Sequence, residues 1–518
     1  MLKRYTFLFI LFIYLSSYGQ SLDAIRLEVE SDIDAEAFRV ETIGKDGLLI
    51  FYVSNELDKE KKRKWYFGLF DNGLTQNWLK FIALADKIEF VKSFRDSKNI
   101  YLFFKNSGRD RSDYGYYEIV TYNIRKQDFS KISGSIPAKA EYAGIDIIGN
   151  TACLGLNLKK YETDLVFINL NDGELTPVHI DKETPGYIES IYADRVTNQF
   201  YVAIKQNRDR RYISEHIIAY SSSGKQVSNV KITGTEPLKY FKDYVMTSNN
   251  NELLVFGTYN VITEKNPTFK DMEDDLENRS AGMFYMKFVD GKQVSLKYYD
   301  FMGFSNISGA IGRNNFVTTK LSNSKDTTQR ANNMVSAAFN LSKPLVYKSP
   351  NNEYVFSVEV FQPYYKTETR MDYDFYGRPY PYTYNVFQGY DYYDVIVAGI
   401  SPSGDLNWSN DFPIDDMLTY SRSRKTVVFN DDRFVLLAYI NNGNVVYQMI
   451  DGSSDIDRSK MKIGTDYPQD RVIDEENSHI MHWYDDYFLI YGYQKIKNRT
   501  LGDKSTRTVF YTNKIAYK

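Results

Sequence analysis

The sequence predicts an all-β fold in which a four-stranded unit is repeated along most of its 518 residues. Three observations carry this prediction. A pair of polar or glycine residues precedes a run of five or six apolar and aromatic residues at nine places. A strand–turn–strand unit, usually with glycine in its turn, recurs between these runs. Aromatic residues make up 16% of the chain, with 45 Tyr and 33 Phe, and such residues favour strands.

The polar pairs set the period of the repeat. Measured from the second residue of each pair, the steps are 52, 51, 48, 53, 64, 37, 80 and 54 residues. The step of 37 is short for a complete unit, so we expect one of the two hits around it to lie inside an enlarged unit. The pairs are Asp46-Gly47, Lys98-Asn99, Gly149-Asn150, Thr197-Asn198, Asn250-Asn251, Asn314-Asn315, Asn351-Asn352, Asp431-Asp432 and Asp485-Asp486.

Residues 392–413, YYDVIVAGISPSGDLNWSNDFP, are the clearest copy of the strand–turn–strand unit. A short apolar run leads into the turn SPSG, in which proline presets φ and glycine accepts a positive φ. The residues after the turn alternate polar and apolar, as in a half-buried strand. Further copies cover residues 64–81, 163–180, 215–232, 281–299 and 445–463, with weaker copies without the glycine at 116–132 and 333–347.

An apolar segment before each hairpin completes four strands, A to D. Units of this size bury their faces only against one another, which predicts a single β-propeller over residues 20–518. We expect eight blades, with seven or nine as alternatives and a two-domain β-sandwich as the rival fold. The last unit lacks a fourth strand. Residues 24–30, where Ile25, Leu27 and Val29 alternate with polar residues, are expected to supply it and close the ring.

The unit at residues 392–413 also carries a resemblance. Ala398, Ser403, Gly404 and Trp408 have the spacing of the tryptophan-docking repeat, whereas Ile400 replaces its aspartate. This unit therefore resembles a blade of the quinoprotein-like eight-bladed propellers. In the ending LNWSNDFP and the start of its mature chain, the sequence also resembles uncharacterised secreted propeller-like proteins of Bacteroidota. These resemblances imply fold and location, and they imply no activity.

Residues 1–19 have the pattern of a signal peptide. Lys3 and Arg4 precede an apolar stretch, and Ser17-Tyr18-Gly19 forms a small-x-small cleavage site. A retained anchor is the alternative, but the stretch is shorter than the roughly 20 residues that span a bilayer. No other apolar stretch has that length, so no transmembrane span is expected after cleavage. We predict a secreted monomer in the periplasm or at the surface of a Gram-negative bacterium.

Composition excludes several functions. A net charge of −3 and a pI of about 6.0 argue against nucleic acid as a partner. The single cysteine, Cys153, permits no disulfide within the chain and excludes the vicinal cysteine pair of quinone-dependent dehydrogenases.

His479 and His482 lie on opposite faces if they share a strand, which favours structural roles. We assign no catalytic residue, no metal ligand and no cofactor, because no corresponding motif is present.

Long connections are expected on one face of the ring. In a propeller, the B–C and D–A connections leave the blades at the same face, and a rigid scaffold that carries extended loops there is suited to binding. Neutral insertion is the alternative interpretation. The long connections, nearly all assigned between strands B and C, are residues 55–63, 106–115, 206–214, 259–280, 322–332, 362–391 and 495–506.

Residues 362–391 form the most distinctive of these connections because they hold eight tyrosines. Tyrosine and arginine give large contact area and a polar tip, and flat rings stack on sugars. The alternative is a long β-hairpin whose rings pack on the next blade. Arg208 and Arg210, in another connection, are candidates to steer an anionic partner. The candidate binding residues are Tyr364, Tyr365, Tyr373, Tyr376, Arg378, Tyr380, Tyr382, Tyr384, Arg208 and Arg210.

From these features we predict a secreted, non-enzymatic binding or scaffold protein of the bacterial cell envelope. It would engage a protein or glycan partner through the face that carries the long connections. The alternative is a carbohydrate-active propeller enzyme, a glycosidase or lyase. That alternative requires two carboxylates facing a central pocket about 5–10 Å apart.

Overall fold

The computed structural model describes residues 25–30, 38–106, 114–137, 140–158, 162–180, 186–208, 211–236, 239–261, 279–313, 317–319, 335–337, 339–430, 434–500, 502 and 506–517. Within them, eight antiparallel four-stranded sheets follow one another along the chain. The prediction of eight blades is confirmed, and the rival two-domain sandwich is wrong.

In blades 1 to 7 the strands A to D follow the chain from one edge of the sheet to the other. The strands are Arg39–Thr42, Leu48–Leu57, Arg63–Phe70 and Gln76–Leu84 in blade 1; Ile88–Arg95, Asn99–Asn106, Tyr114–Asn123 and Asp128–Pro137 in blade 2; Glu141–Ile148, Thr151–Asn157, Thr163–Asn169 and Leu175–His179 in blade 3; Gly186–Asp194, Gln199–Arg208, Arg211–Ser221 and Gln226–Lys231 in blade 4; Lys239–Asn249, Glu252–Val261, Gly282–Val289 and Lys292–Asp300 in blade 5; Asn340–Leu341 with Leu345–Lys348, then Tyr354–Tyr373, Pro379–Ile400 and Leu406–Thr419 in blade 6; and Thr426–Asn430, Val435–Asn441, Asn444–Asp451 and Ser454–Lys462 in blade 7.

Blade 8 closes the ring with strands from both ends of the described chain. Its strands A, B and C are Arg471–Tyr484, Tyr487–Lys497 and Thr506–Ala516, and strand D is Ile25–Glu30. The N-terminal strand pairs antiparallel with Thr506–Ala516, from Ile25 opposite Lys514 to Glu30 opposite Val509. The predicted closure by the N-terminal strand is therefore confirmed.

The core lies between the blades. Both faces of a blade are covered by its neighbours, so strand B reads as an unbroken apolar run rather than an alternating one. Eight hydrophobic clusters each join two successive blades and together complete the circle. Between blades 8 and 1, for example, the rings of Phe38 and Phe510 stack with centroids 4.4 Å apart. Between blades 6 and 7, the centroids of Phe412 and Tyr439 are 5.4 Å apart.

Strand A lies towards the centre of the ring and strand D at its rim. The A strands of blades 3, 4 and 5 contact one another. The D strands instead expose large apolar side chains such as Leu79, Phe81, Val227 and Val294. Strand A therefore faces the axis, and the ends of the strands form the two faces of the ring.

The glycine of the C–D turn lets one blade dock on the preceding one. Gly404 has φ +84°, and a Cβ there would lie 2.3 Å from the ring of Tyr285 in blade 5. The Tyr285 hydroxyl donates a hydrogen bond of 2.7 Å to the carbonyl of Pro402 in the same turn. Trp408 follows this turn, and a Cβ on Gly452, in the turn of blade 7, would lie 3.8 Å from it. The recurring turn is therefore also an inter-blade contact.

One of the nine hits starts no blade of its own, as the short step of 37 residues predicted, and one predicted copy of the hairpin is wrong. The pair Asn314-Asn315, which is outside the described residues, precedes a short ribbon of Val317–Thr319 and Val335–Ala337 rather than a blade. Residues 333–347 are not a C–D hairpin, because Leu345–Lys348 pairs with Tyr354–Tyr373 as part of strand A of blade 6. The connection between blades 5 and 6 also holds the α-helix Ser308–Arg313 and the 3-10 turn Phe301–Gly303, and a second 3-10 turn, Gly44–Asp46, lies in blade 1.

Candidate functional site

Among the described strands, the longer connections start and end at one face of the ring, hereafter the long-loop face. Because the strands alternate in direction, the A–B and C–D turns lie on one face and the B–C and D–A connections on the other. The A–B turns are short, as in the two residues between Asn249 and Glu252. Residues 322–332, one of the predicted long connections, lie outside the described residues, between Val317–Thr319 and Val335–Ala337. Both short strands follow strand D of blade 5 and precede strand A of blade 6, so they belong to a D–A connection.

The tyrosine-rich insertion is a β-hairpin that continues two strands of blade 6. Strands B and C, Tyr354–Tyr373 and Pro379–Ile400, stay paired from Tyr354 opposite Ile400 to Tyr373 opposite Pro379. Strand A pairs only as far as Phe361, and strand D as far as Tyr390. Residues 362–389, hereafter the arm, therefore project beyond the blade as a two-stranded ribbon. Ten residue pairs, from Tyr364 opposite Gly389 to Tyr373 opposite Pro379, at roughly 3.3 Å per residue make the paired part of the arm about 33 Å long.

The register divides the side chains of the arm between two faces. Directly opposite residues in an antiparallel pair project to the same face. Glu368, Arg370 and Asp372 oppose Tyr384, Tyr382 and Tyr380, respectively. The tyrosine face thus consists of Tyr364, Tyr380, Tyr382 and Tyr384, with the charged side chains of the other strand beside them. The mixed face consists of Tyr365, Met371, Tyr373 and Phe387.

The aromatic rings of the arm are exposed rather than packed on the next blade. The tip residue Phe375 is 97% exposed, and Tyr376 beside it is 80% exposed. Tyr373 on the mixed face and Tyr382 on the tyrosine face are also exposed. The arm is therefore a β-hairpin, as the alternative interpretation predicted. Contrary to that interpretation, its exposed rings do not pack on the next blade.

Contacts at the base anchor the arm to blade 6. The ring of Phe387 lies 5.1 Å from that of Tyr390 and 6.2 Å from that of Tyr420. The guanidinium of Arg422 lies 4.7 Å from the centroid of Tyr390. Farther out, Arg370 lies over Tyr382 and Tyr384, at 5.5 and 5.6 Å from their centroids. These contacts fix the base and order one face of the ribbon.

A groove of about 840 Å³ opens on the long-loop face beside the base of the arm. One wall is the end of strand D of blade 6, where Leu418 and Thr419 pair with the arm base. The floor is the two-residue turn Asn442-Gly443 of blade 7, and the other wall is the start of strand A of blade 8. Carboxylates dominate its charge, since Asp416, Asp474, Glu475 and Glu476 line it together with Lys425.

Glu475 joins blade 7 to blade 8 within this groove. Its carboxylate accepts hydrogen bonds from the Gly443 backbone N–H at 2.8 Å and from the Tyr511 hydroxyl at 2.7 Å. The Gln494 amide donates a third bond at 3.1 Å. Burial raises the pKa of Tyr511 well above its ordinary value, and the Glu475 charge adds to this rise. Glu475 therefore holds the groove in shape.

His479 and His482 make contacts within the fold. His482 Nε2 lies 2.7 Å from the Asp485 carbonyl, and the His482 ring stacks on Phe429 with centroids 3.6 Å apart. His479 stacks on Tyr491 at 5.1 Å, and burial lowers its pKa to about 4, with Lys425 and Arg39 adding repulsion. Within the ranges given above, no group of three or more His, Cys, Asp or Glu side chains is arranged to hold a metal ion.

The structure brings eight of the ten predicted binding residues together on the arm. They are Tyr364, Tyr365, Tyr373, Tyr376, Arg378, Tyr380, Tyr382 and Tyr384. Arg208 ends strand B of blade 4 on the same face but away from the arm, and Arg210 lies outside the described residues. That these residues bind a partner stays a prediction.

Sequence reasoning missed the groove because its walls come from three separate stretches of the chain. The available signals were the acidic run Asp474-Glu475-Glu476 and the Asn442-Gly443 turn, which makes the connection of blade 7 unusually short. The predicted signal segment at residues 1–19 lies outside the described residues. No helix in the described part of the chain is long and apolar enough to cross a membrane.

Comparison with known proteins returns likenesses of fold only. No model of a protein family matches the chain, and no curated protein matches it. The β-propeller domain of the Trilobed protease from Pyrococcus furiosus is 9% identical, with a TM-score of 0.35, over 84% of this chain and 99% of that one. A prolyl endopeptidase is 9% identical, with a TM-score of 0.39, over 88% of this chain and 55% of that one. An ulvan lyase of a polysaccharide lyase family is 8% identical, with a TM-score of 0.37, over 77% and 88%. At these values the likenesses carry no argument about function, and the propeller rests on the strand pairing described above.

Proposed function

We propose that this chain is a secreted binding or scaffold protein of the bacterial cell envelope that engages a partner through its long-loop face. The exposed aromatic arm is the single observation that carries the proposal. Secretion rests on the signal-peptide pattern of residues 1–19. The propeller holds the arm, and the arm contacts the partner.

Exposed aromatic area supports the arm as the contact surface. Eight large side chains of the arm are exposed: Tyr364, Tyr365, Met371, Tyr373, Phe375, Tyr376, Tyr380 and Tyr382. Tyrosine and arginine are enriched where partners bind tightly, because they give much contact area for little lost freedom. Contiguous apolar patches of this kind are rare on monomers without a partner.

The carbohydrate-active enzyme gains less support. Such an enzyme needs a free acid and a second carboxylate on either side of the scissile bond. In the groove, Glu475 accepts three hydrogen bonds from the fold and serves as a link between blades. At least one of the acidic residues of the groove is therefore a structural link, and the exposed arm is the observation that favours binding.

A shortened arm tests the proposal. Residues 368–384 pair only with one another, and Thr367 opposes Asn385, so an Asn-Gly turn can replace them and leave the blade intact. We expect this variant to lose capture of its partner from cross-linked envelope extracts of the producing bacterium while its thermal unfolding is unchanged. Lys59→Gln, on the same face but in blade 1, is the control and should capture normally. Undiminished capture by the shortened variant would refute the proposal.

A further inference from the structure

We infer that the arm inserts into a cleft of a partner protein, which covers both of its faces and its tip. This inference rests on the proposed function and makes it more specific. It follows from the distribution of the exposed rings, from the way the ribbon protects its edges, and from the area that the rings offer.

Exposed rings lie on both faces of the ribbon. Tyr380 and Tyr382 are exposed on the tyrosine face, and Tyr365 and Tyr373 on the mixed face. Phe375 is almost completely exposed at the tip. A flat partner surface would cover one face and leave the rings of the other face in water. A partner that covers all of these rings must surround the ribbon.

The edges of the ribbon are unsuited to pairing with another strand. Pro379 and Pro381 stand on the outer edge of one strand, where they remove N–H groups that an added strand would need. The other strand alternates Lys366, Glu368, Arg370 and Asp372, and charged side chains of this kind oppose edge-to-edge pairing. Recognition by strand addition is therefore disfavoured, and side chains on the faces are left to make the contact.

The exposed area is sufficient for a stable complex. The exposed fractions of the eight large side chains named above add up to roughly five complete side chains. At about 200 Å² each they offer on the order of 1,000 Å². A specific protein–protein interface takes about 800 Å² from each partner. The arm alone therefore supplies a full interface, without any contribution from the ring.

Protein fits this surface better than glycan. A sugar ring stacks on one exposed aromatic plane, but Arg370 already lies over Tyr382 and Tyr384. Opposite charges also alternate along the same face, from Lys366 to Asp372. A protein cleft satisfies alternating charges and apolar rings together, because interfaces combine a buried aromatic centre with a polar rim.

Photo-cross-linking from both faces tests the inference in intact producing cells. Tyr373→p-benzoylphenylalanine places the probe on the mixed face, and Tyr382→p-benzoylphenylalanine places it on the tyrosine face. Phe81→p-benzoylphenylalanine, on the exposed rim of blade 1, is the control. Because these sites are exposed and the probe keeps an aromatic ring, each full-length variant should unfold at the temperature of the unmodified protein.

Insertion predicts that both arm positions cross-link to one polypeptide, at two different segments of it. Their yields should be about tenfold above the control, because a surrounded side chain stays in contact with the partner. Cross-links from one face only would overturn insertion and leave the proposed function standing. Adducts with carbohydrate, or with a second copy of this chain, would also overturn it. If neither position cross-links above the control, the inference and the proposed function both fail.

Discussion

Replacing Arg507 should weaken the closure of the ring. Arg507 lies in strand C of blade 8 and donates to Glu28 of the N-terminal strand at 3.0 Å and to Asp470 at 2.6 Å. The side chains of Arg507, Glu28 and Asp470 are 8%, 8% and 0% exposed. Hydrogen bonding to Asp470 raises the pKa of Arg507, so the guanidinium stays charged. Arg507→Met keeps most of the volume and leaves two buried carboxylates with one fewer positive partner.

Removing one partner of a buried ion pair costs about 3–5 kcal/mol, because the remaining charge loses its compensation. The entropy of unfolding of a chain of this length is about 1 kcal/mol/K, so the midpoint should fall by about 3–5 °C. Calorimetry or circular dichroism at neutral pH measures this shift. Hydrogen exchange should also speed up in Ile25–Glu30, since that strand has a single strand neighbour.

Lys45→Ala is the matched control. Lys45 pairs with Asp485 at 2.8 Å, but these side chains are 68% and 55% exposed. Solvent screens an exposed pair and its long side chains lose freedom in pairing, so this variant should melt within about 1 °C of the unmodified protein. If Arg507→Met shifts the midpoint no more than Lys45→Ala does, the buried network does not hold the closing strand.

Three further changes have defined outcomes. In denaturant unfolding, Gly404→Ala should destabilise the protein by about 2 kcal/mol more than Gly149→Ala. Both glycines have a positive φ, but only at Gly404 would the added Cβ meet the side chain of a neighbouring blade. Equal losses of stability would contradict docking of the blades through this turn. The pKa of His479 is lowered to about 4, below its unfolded value near 6.5, so the protein should lose up to about 3 kcal/mol of stability as pH falls from 6.5 to 4. His479→Gln should lack that part of the loss, and identical pH profiles would count against a buried neutral imidazole. Phe375→Ser should leave the free energy of unfolding unchanged within about 0.5 kcal/mol, because the phenyl ring of Phe375 is almost completely exposed. A larger loss would mean that the tip of the arm packs on the propeller.

The circle of blades was predictable from the sequence because the strand and turn patterns that mark it lie within short stretches of the chain. Ile25, Leu27 and Val29 alternate strictly with polar residues, which marks a half-buried strand in need of a partner. The turn SPSG places Gly404 where a positive φ is required. Residues 333–347 were misassigned because an apolar run beside a turn looks alike in strand A and strand D. Only the pairing of Leu345–Lys348 with Tyr354–Tyr373, a non-local contact, distinguishes the two.

The candidate site was predictable only in part. The composition of the arm indicated a contact surface, but the same tyrosines are compatible with packing on a neighbouring blade. The exposure of Phe375 and Tyr376 depends on how far the adjacent blade reaches, and no local pattern encodes that distance. The groove was missed because Asp416, Gly443 and Glu475 come together only when blades 6, 7 and 8 are in place.

Residue-resolved tyrosine labelling tests the central claim most directly. Tyr376 at the tip of the arm is 80% exposed, and Tyr467, between blades 7 and 8, is 47% exposed. In the purified protein both should be modified by a tyrosine-selective reagent. If a partner covers the arm, as proposed, modification of Tyr376 should be suppressed in intact producing cells while that of Tyr467 persists. Equal modification of Tyr376 in both preparations would contradict the claim that the arm is covered by a partner.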